Sequence, residues 1–537
     1  MVTSGQHPLA LRDARFPVPD AVALESGTVL VVDGRVAGLL PADVPVEHLP
    51  AGATVVDAAG RILMPGFIDA HSHGEGALGR DDRELALLRQ GLTGVLLGQD
   101  GISFAPTTAA SAPLNERYFA AVNGPLPDGH REGMSIGTLL AHFAAVSRLS
   151  SRALVPAGTV RTTVSGFSPA PLTERQLDEI EDITRAGIAE GAAGVSLGLE
   201  YVPGGFADAV ELHRFAEIAA GTGVPLVAHV RGYEAAAPAG LGEVIDLARA
   251  TGAPVHVAHL HAPADLVLPI VDAALAEGVD LTFDSYPYRR GNTILAMLAL
   301  PADLQEDGPE HALARLADPI TRRRLEHDWF PGIAELLSRV TVSVADHPDW
   351  RWAEGLSPEQ IAEGTGRSIG ETICELILAT GLGAGAIVRQ PAANRVEDVR
   401  AIANHRAHLG SSDGIFLGGH PHPRGWGAFA RMLRRHVLEW RDWTWWQATE
   451  HLSLRAARRF GFGDRGLVRP ASIADFCLVD PQRLADRATY DAPTLLAEGI
   501  DDVIVAGSRV LVDGDLFPAA DHLGMMREST PTERPAS

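Results

Sequence analysis

Apolar and polar positions recur with two different periods along this chain, and the change of period divides it. Between residues 28 and 64, short β-branched runs (TVLVVDGRVAGLL, then ATVVDAAGRILMPG) are broken by DG and AG dipeptides. That texture predicts strands joined by tight hairpin turns. The far end has the same texture, SIADFCLVD followed by DDVIVAGSRVLVDG. The middle reads differently. Leu177, Ile180, Ile183, Thr184 and Ile188 follow helical spacing, EGAAG ends that helix, and VSLGLEY is strand-like. AVELHRFAEIAAGTG then leads to VPLVAHV, GEVIDLARATG to APVHVAHLH, and LVLPIVDAALAEGVD to LTFDSYPY. Each unit is a helix, a glycine near its C-terminus and a β-rich strand.

Such a succession predicts an α/β fold with a parallel sheet, and at this length a (β/α)8 TIM-like barrel. The two strand-rich ends are expected to pair as one small β-sandwich domain, residues 1–64 supplying one part and 456–524 the other. The barrel is assigned to 65–455, with a helical insertion at about 301–400, where charged and Trp/Pro-containing segments interrupt the rhythm. Residues 525–537 read as a disordered tail.

Composition narrows the chemistry. The chain has 537 residues, 46% hydrophobic and 21% charged, which supports a real core. Its formal charge of −23 argues against nucleic acid or an anionic membrane surface as partner. All 45 basic residues are arginine. The absence of lysine excludes a Schiff base, a P-loop lysine and a carbamylated lysine bridging two metals. Cys374 and Cys477 belong to no CxxC pair, so neither a disulfide scaffold nor a cysteine-based structural zinc is expected. The opening MVTSGQHPLALRDARF lacks the layout of a signal peptide, and no run of about 20 apolar residues is present. A cytoplasmic location is the expectation.

One constellation stands out. In PGFIDAHSH, strand alternation sets Asp69, His71 and His73 on one face, and two imidazoles two residues apart can chelate a cation. Asp100 closes the strand-like GLTGVLLGQDG. His229 ends VPLVAHV and His259 ends APVHVAH, one βα unit apart. Alternation in VHVAH separates His256, read as a core histidine, from His259, whose parity His261 shares. Asp413 follows the insertion in RAHLGSSDGIF. His-x-His, Asp, His, His and Asp thus arrive in order at strand ends, and the C-terminal strand ends are where barrel active sites assemble.

These residues resemble the amidohydrolase superfamily and, within it, the D-aminoacylases (N-acyl-D-amino-acid deacylases). The likeness runs through PGFIDAHSH, GQDGIS, GTVRTTVSGF, GAAGVSLGLEYVPGGFAD, LVAHVRGYE, VHVAHLH, FDSYPY, ETICELIL, LGSSDG, HPHPRGWGAF and FGFGDRGLVRPASIADFCLVD. It implies Zn2+ held tightly by Asp100, His229 and His259, with His71, His73 and Asp413 forming a neighbouring, weaker divalent-metal position. It also implies that Arg424 and Tyr288 grip the carboxylate of a small-molecule N-acyl amino acid. Two departures accompany it. Relatives carry cysteine at the Asp100 position, where aspartate is a harder ligand. They carry lysine where this chain has His261, which would make a carboxylate contact shorter and pH-dependent.

The implied reaction is hydrolysis of an N-acyl-D-amino acid, with the metal polarising the carbonyl and Asp413 as general base and then acid. Arg289 and Arg290, following FDSYPY, set a condition. Entry of either into the mouth predicts an acidic D-amino acid; otherwise a hydrophobic one is expected. Two rival readings are a cyclic amidase of the dihydropyrimidinase or hydantoinase type, which usually needs the lysine bridge absent here, and a non-catalytic barrel scaffold, which would normally have lost metal ligands.

Overall fold

The computed structural model describes residues 7–517, so the tail expected at 525–537 lies outside the described residues. Helices of the middle region form where the apolar period is helical. In Ala237–Thr251, Leu241, Val244, Ile245 and Ala248 are buried in a stripe at i, i+3, i+4 and i+7. Each Leu, Val or Ile side chain removed from water in this way contributes about 1.5–3 kcal/mol. The preceding helix, Ala209–Thr222, starts where the Asp208 side chain accepts the N–H groups of Val210 (3.0 Å) and Glu211 (2.9 Å). It stops at Gly223, whose φ of 68° only glycine adopts cheaply.

Between these helices run eight parallel strands. They are β1 (Phe67–Asp69), β2 (Leu92–Leu97), β3 (Ser150–Ala153, continued as Val155–Pro156), β4 (Val195–Gly198), β5 (Leu226–His229), β6 (Val255–Val257), β7 (Leu281–Ser285) and β8 (His408–Gly410). Their register is continuous: Ser196 lies opposite Val227, Val227 opposite His256, and His256 opposite Thr282. The ring closes beyond β8, where Ala70 donates to the Gly410 carbonyl (3.3 Å) and Asp413 to that of His71 (2.8 Å). Two segments rich in candidate ligands are therefore stitched together by the backbone.

The two chain ends meet in one nine-stranded sheet. Ile62–Pro65 pairs antiparallel with Phe476–Val479, Met64 lying opposite Cys477. Both cysteines are buried, and burial pushes the Cys374 thiol up to about 12, so it is inert at neutral pH.

The segment between β7 and β8 differs from a purely helical insertion. Helices Pro309–Ala317, Pro358–Thr365 and Ile369–Ala379 pack with a three-stranded antiparallel sheet of Arg290–Ile294, Ala384–Arg389 and Val340–Ala345. Its own apolar cluster includes Leu295, Val342, Ile361 and Ile377. Those strands are short and β-branched between charged loops, a pattern that the surrounding polar composition hid. Among the described residues no helix is long and apolar enough to cross a membrane.

Candidate metal centre

β1, β2, β5 and β6 and the turn after β8 deliver their terminal side chains to one place. Asp100 Oδ1 lies 3.4 Å from His71 Nε2 and 3.5 Å from His259 Nε2, while its Oδ2 lies 3.5 Å from both His73 Nε2 and His229 Nδ1. His259 Nε2 and His229 Nδ1 are 3.0 Å apart. Asp413 Oδ1 stands 3.6 Å from His71 Nε2 and 3.7 Å from His73 Nε2. Two ligand sets result, His71–His73–Asp100–Asp413 and Asp100–His229–His259, and Asp100 belongs to both.

These spacings suit a cation. Ligand atoms at about 2.0–2.1 Å around tetrahedral zinc lie roughly 3.3–3.5 Å from one another. Ligand atoms here also lack other partners: Nε2 of His71 and Oδ1 of Asp100 make no hydrogen bond. Orphaned groups of this kind are costly unless something else satisfies them. The donor set, imidazole nitrogens and carboxylate oxygens, fits zinc or a comparable divalent ion.

Backbone conformation aims the ligands. Asp100, His259 and Asp413 have φ of 55°, 31° and 48°, in the left-handed region that non-glycine residues seldom occupy. Each turns sharply at a strand end, so its side chain faces the mouth. The Asp100 turn also needs a glycine neighbour, because a Cβ on Gly198 would sit 1.8 Å from the Asp100 carbonyl oxygen.

Electrostatics follow from this packing. Burial opposes ionisation of Asp100, but His71, His259 and His229 hold it far below the usual carboxylate range. Burial likewise works against charge on His229, yet Asp100 raises that ring to about 9. Protons and a cation compete for these nitrogens. Behind them, Asp284 lies 3.5 Å from His71 Nδ1 and accepts the His259 backbone N–H at 3.1 Å. It also pairs with His256 Nε2 at 2.9 Å, and His256 Nδ1 meets Thr282 at 2.8 Å, so His256 is a satisfied interior histidine. Tyr233 Oη reaches His229 Nε2 at 2.9 Å, and a Glu200 carboxylate oxygen lies 3.7 Å from that nitrogen.

Three expected placements need correction. Asp69 does not share the face of His71 and His73, whose ring nitrogens join the ligand sets. β1 ends there, strand alternation lapses, and the carboxylate takes the backbone and hydroxyl donors of Ser412 instead. Tyr288 is absent from the wall of the roughly 470 Å³ cavity over the metal centre; Tyr286, two residues earlier, lines it. Tyr288 faces a second cavity. Arg424 is wholly buried, its Nη1 2.8 Å from Asp413 Oδ2 and its guanidinium 4.5 Å from the Tyr286 ring centroid. It stands behind the cavity wall, engaged with Asp413.

His261 does line the cavity, with its ring centroid 4.1 Å from that of Tyr286. Burial first, then His259 and Arg424, push its pKa down to about 3. Both effects favour the neutral ring. Neither Arg289 nor Arg290 enters this cavity; Arg339 and Arg389 do, from the insertion, beside Met297, Leu298, Leu336 and Val388. Sequence reasoning passed over Tyr233, although it lies within LVAHVRGYE, and over Asn292, Arg339 and Arg389, which belong to no motif. Distance from the ligands along the chain hid the two arginines of the insertion, whereas Tyr233 stands only four residues after His229.

No protein-family model matches the chain. An N-acyl-D-glutamate deacylase from Alcaligenes xylosoxydans xylosoxydans, however, is 32% identical over 464 residues, covering 85% of this chain and 84% of its own. The chain belongs to the N-acyl-D-amino-acid deacylase family. Further deacylase relatives include an N-acyl-D-aspartate deacylase from the same organism, 27% identical over 90% of this chain and 88% of its own. Among solved structures, the N-acyl-D-glutamate deacylase of Bordetella bronchiseptica, complexed with zinc and a phosphonate inhibitor, superposes with TM-score 0.76 at 27% identity, covering 94% of this chain and 96% of its own. A D-aminoacylase of the amidohydrolase class superposes at 0.77 and 25%, over 95% and 97%. The D-hydantoinase of Thermus sp. shares the fold at 0.54 and 15% identity. Deacylase membership accordingly prevails over the cyclic-amidase reading, and the candidate metal site lies within a family fold whose Bordetella member holds zinc.

Proposed function

We propose that this chain is a zinc-dependent deacylase that hydrolyses the linear amide of an N-acyl-D-amino acid, releasing a carboxylate and the free D-amino acid. One observation carries the reading: two ligand sets joined on Asp100, with Asp413 beside them at the floor of a cavity of small-molecule size. Zinc held by Asp100, His229 and His259 would supply a Lewis acid for the scissile carbonyl and lower the pKa of water toward about 7. His71, His73 and Asp413 form the second, weaker divalent position of the proposal.

The protein's own groups do the rest. Asp413, held on Oδ2 by Arg424, takes the proton of the attacking water and returns it to the leaving amine nitrogen. Arg424 acts on Asp413 as a positioning residue, fixing the carboxylate through its contact with Oδ2. The substrate α-carboxylate is assigned to donors on the cavity wall, Asn292 Nδ2, which lacks a hydrogen-bond partner, and the neutral His261 ring. Met297, Leu298, Leu336 and Val388 favour a hydrophobic D-amino acid or acyl chain. Arg389, which meets no carboxylate among the described residues, favours an acidic one as a second reading, in keeping with the D-glutamate relative.

Metal analysis and a panel of N-acetyl-D- and N-acetyl-L-amino acids test the assignment. Stoichiometric zinc and turnover of D substrates are expected, and N-acetyl-D-leucine against N-acetyl-D-glutamate separates the two side-chain readings. Zinc with ring opening of hydantoins but no deacylation would restore the cyclic amidase. A metal-free, inactive chain would restore the scaffold.

A further inference from the structure

A second cavity of about 720 Å³ adjoins the first, sharing Arg339, Arg389 and Gln390 as a common wall. It is built where three parts of the fold meet: the loop after β7, the insertion, and the helical stretch from Arg424 to Glu439 with Tyr490 beside it. Its charge is one-sided. Six arginines line it, Arg289, Arg290, Arg339, Arg389, Arg431 and Arg435, against one carboxylate, Glu335.

Two of the six are neutralised. Arg431 pairs with Asp486 at 2.5 Å, and Arg339 with Glu234 at 3.0 Å and Glu335 at 3.1 Å. Arg289, Arg290, Arg389 and Arg435 have no carboxylate within ion-pair distance among the described residues. In a chain carrying 68 acidic residues and a net charge of −23, four unpaired guanidiniums around one hollow run against the overall balance. Guanidinium does not discharge to escape such crowding, so the repulsion is a standing cost unless an anion offsets it.

Aromatic faces hold the guanidiniums in place. Arg290 lies 3.8 Å over the Tyr490 ring centroid, Arg431 4.0 Å over Tyr288 and Arg435 5.5 Å over Trp440. Stacking fixes the plane of a guanidinium while leaving its N–H edges available, the arrangement suited to forked contacts with carboxylate or phosphate. Tyr288 is 3% exposed and serves as the aromatic face under Arg431, its hydroxyl lying toward Gly427.

We propose that this second cavity binds a small, multiply charged anion bearing two or more carboxylates, or a phosphate group, on Arg289, Arg290, Arg389 and Arg435. Because Arg389 and Arg339 also line the metal cavity, occupancy there would reach the reaction site through a shared wall.

Calorimetric titration of the metal-loaded full chain, at constant ionic strength, tests this with benzene-1,3,5-tricarboxylate and inorganic phosphate as separate probes. Saturable binding of at least one is expected, and which of them binds separates the polycarboxylate from the phosphate source. Arg290→Gln/Arg435→Gln should weaken it at least tenfold. Arg289→Gln/Arg389→Gln, at two exposed positions where folding is not at stake, should weaken it severalfold. Saturation by neither probe overturns the proposal, as does binding that survives both double variants. So does strict competition between the bound probe and N-acetyl-D-leucine, which would locate the probe in the metal cavity.

Discussion

Two buried histidine clusters lie in this barrel and behave in opposite ways. At the mouth, His71, His73, His229 and His259 surround the Asp100 carboxylate. On the other side of the ring wall, His408 Nδ1 and His451 Nδ1 are 3.0 Å apart, and the Trp443 ring is stacked between His436 (4.1 Å) and His451 (4.4 Å). Arg455, not a carboxylate, is the charged group beside His451, at 3.1 Å. The first cluster is held up by its carboxylate, His229 at about 9. Burial and neighbouring cations hold the second down, His408 at about 3, while His436 is pushed to about 4 by burial despite Asp442. The same side chain thus serves as a cation trap or as an aromatic packing unit. A central carboxylate makes the difference, together with strand position: His229 closes β5, whereas His408 opens β8.

Breaking the mouth cluster should have the largest consequence. His259→Ala is expected to lose zinc and drop turnover to background, whereas His451→Gln should leave zinc content unchanged. Metal analysis of the two variants side by side decides it, and equal zinc in both would sink the contrast. Asp413→Asn should keep the fold and most of the tightly held zinc while lowering kcat by about 10²–10⁴-fold, as loss of a general acid–base does. Near-normal kcat would remove Asp413 from the proton transfer. Tyr233→Phe, which strips the hydroxyl 2.9 Å from His229 Nε2, should weaken metal affinity by roughly 10–100-fold in a chelator competition.

The smallest effect belongs to the second cluster and is one of stability. Unfolded histidine takes up a proton as pH falls through about 6.5, but folded His408 and His436 do so only near 3 and 4. The unfolded state therefore binds more protons across that interval, and stability falls as pH drops from about 6.5 toward 4. The contribution is full above pH 7 and amounts to a few kcal/mol in order of magnitude. Urea midpoints measured from pH 7.5 to 4.5 should decline, less so in His436→Phe. A slope unchanged in His436→Phe would show that this ring is not buried neutral.

Much of the mouth was legible along the chain because its ligands sit at strand ends, where an apolar run stops at a polar side chain. His71, His73, Asp100, His229, His259 and Asp413 all carry that local mark, and the structure gathers their donor atoms within 4.8 Å of one another in each set. Asp69 shows where the mark fails. Its place on the strand face was read from alternation, but alternation ends with the strand, and Ser412, 343 positions away, claimed its carboxylate. Tyr286 and Tyr288 have equal parity and similar surroundings in FDSYPY, so no local pattern separates them. What separates them is the wall each meets after the chain has left β7.

By itself, the sequence determined the alternation of helix and strand, the strand-rich ends and the residue types able to hold a cation, because each depends on neighbours a few positions apart. The absence of lysine was equally a property of composition, and it removed the bridging chemistry of the cyclic amidases. Only the tertiary structure decided that Asp100 joins both ligand sets, that Arg424 spends its charge on Asp413, and that arginines from the β7 loop, the insertion and the helical stretch from Arg424 to Glu439 surround a second hollow. Those outcomes are set by which segments fold against one another across hundreds of residues, and no local period records such distances.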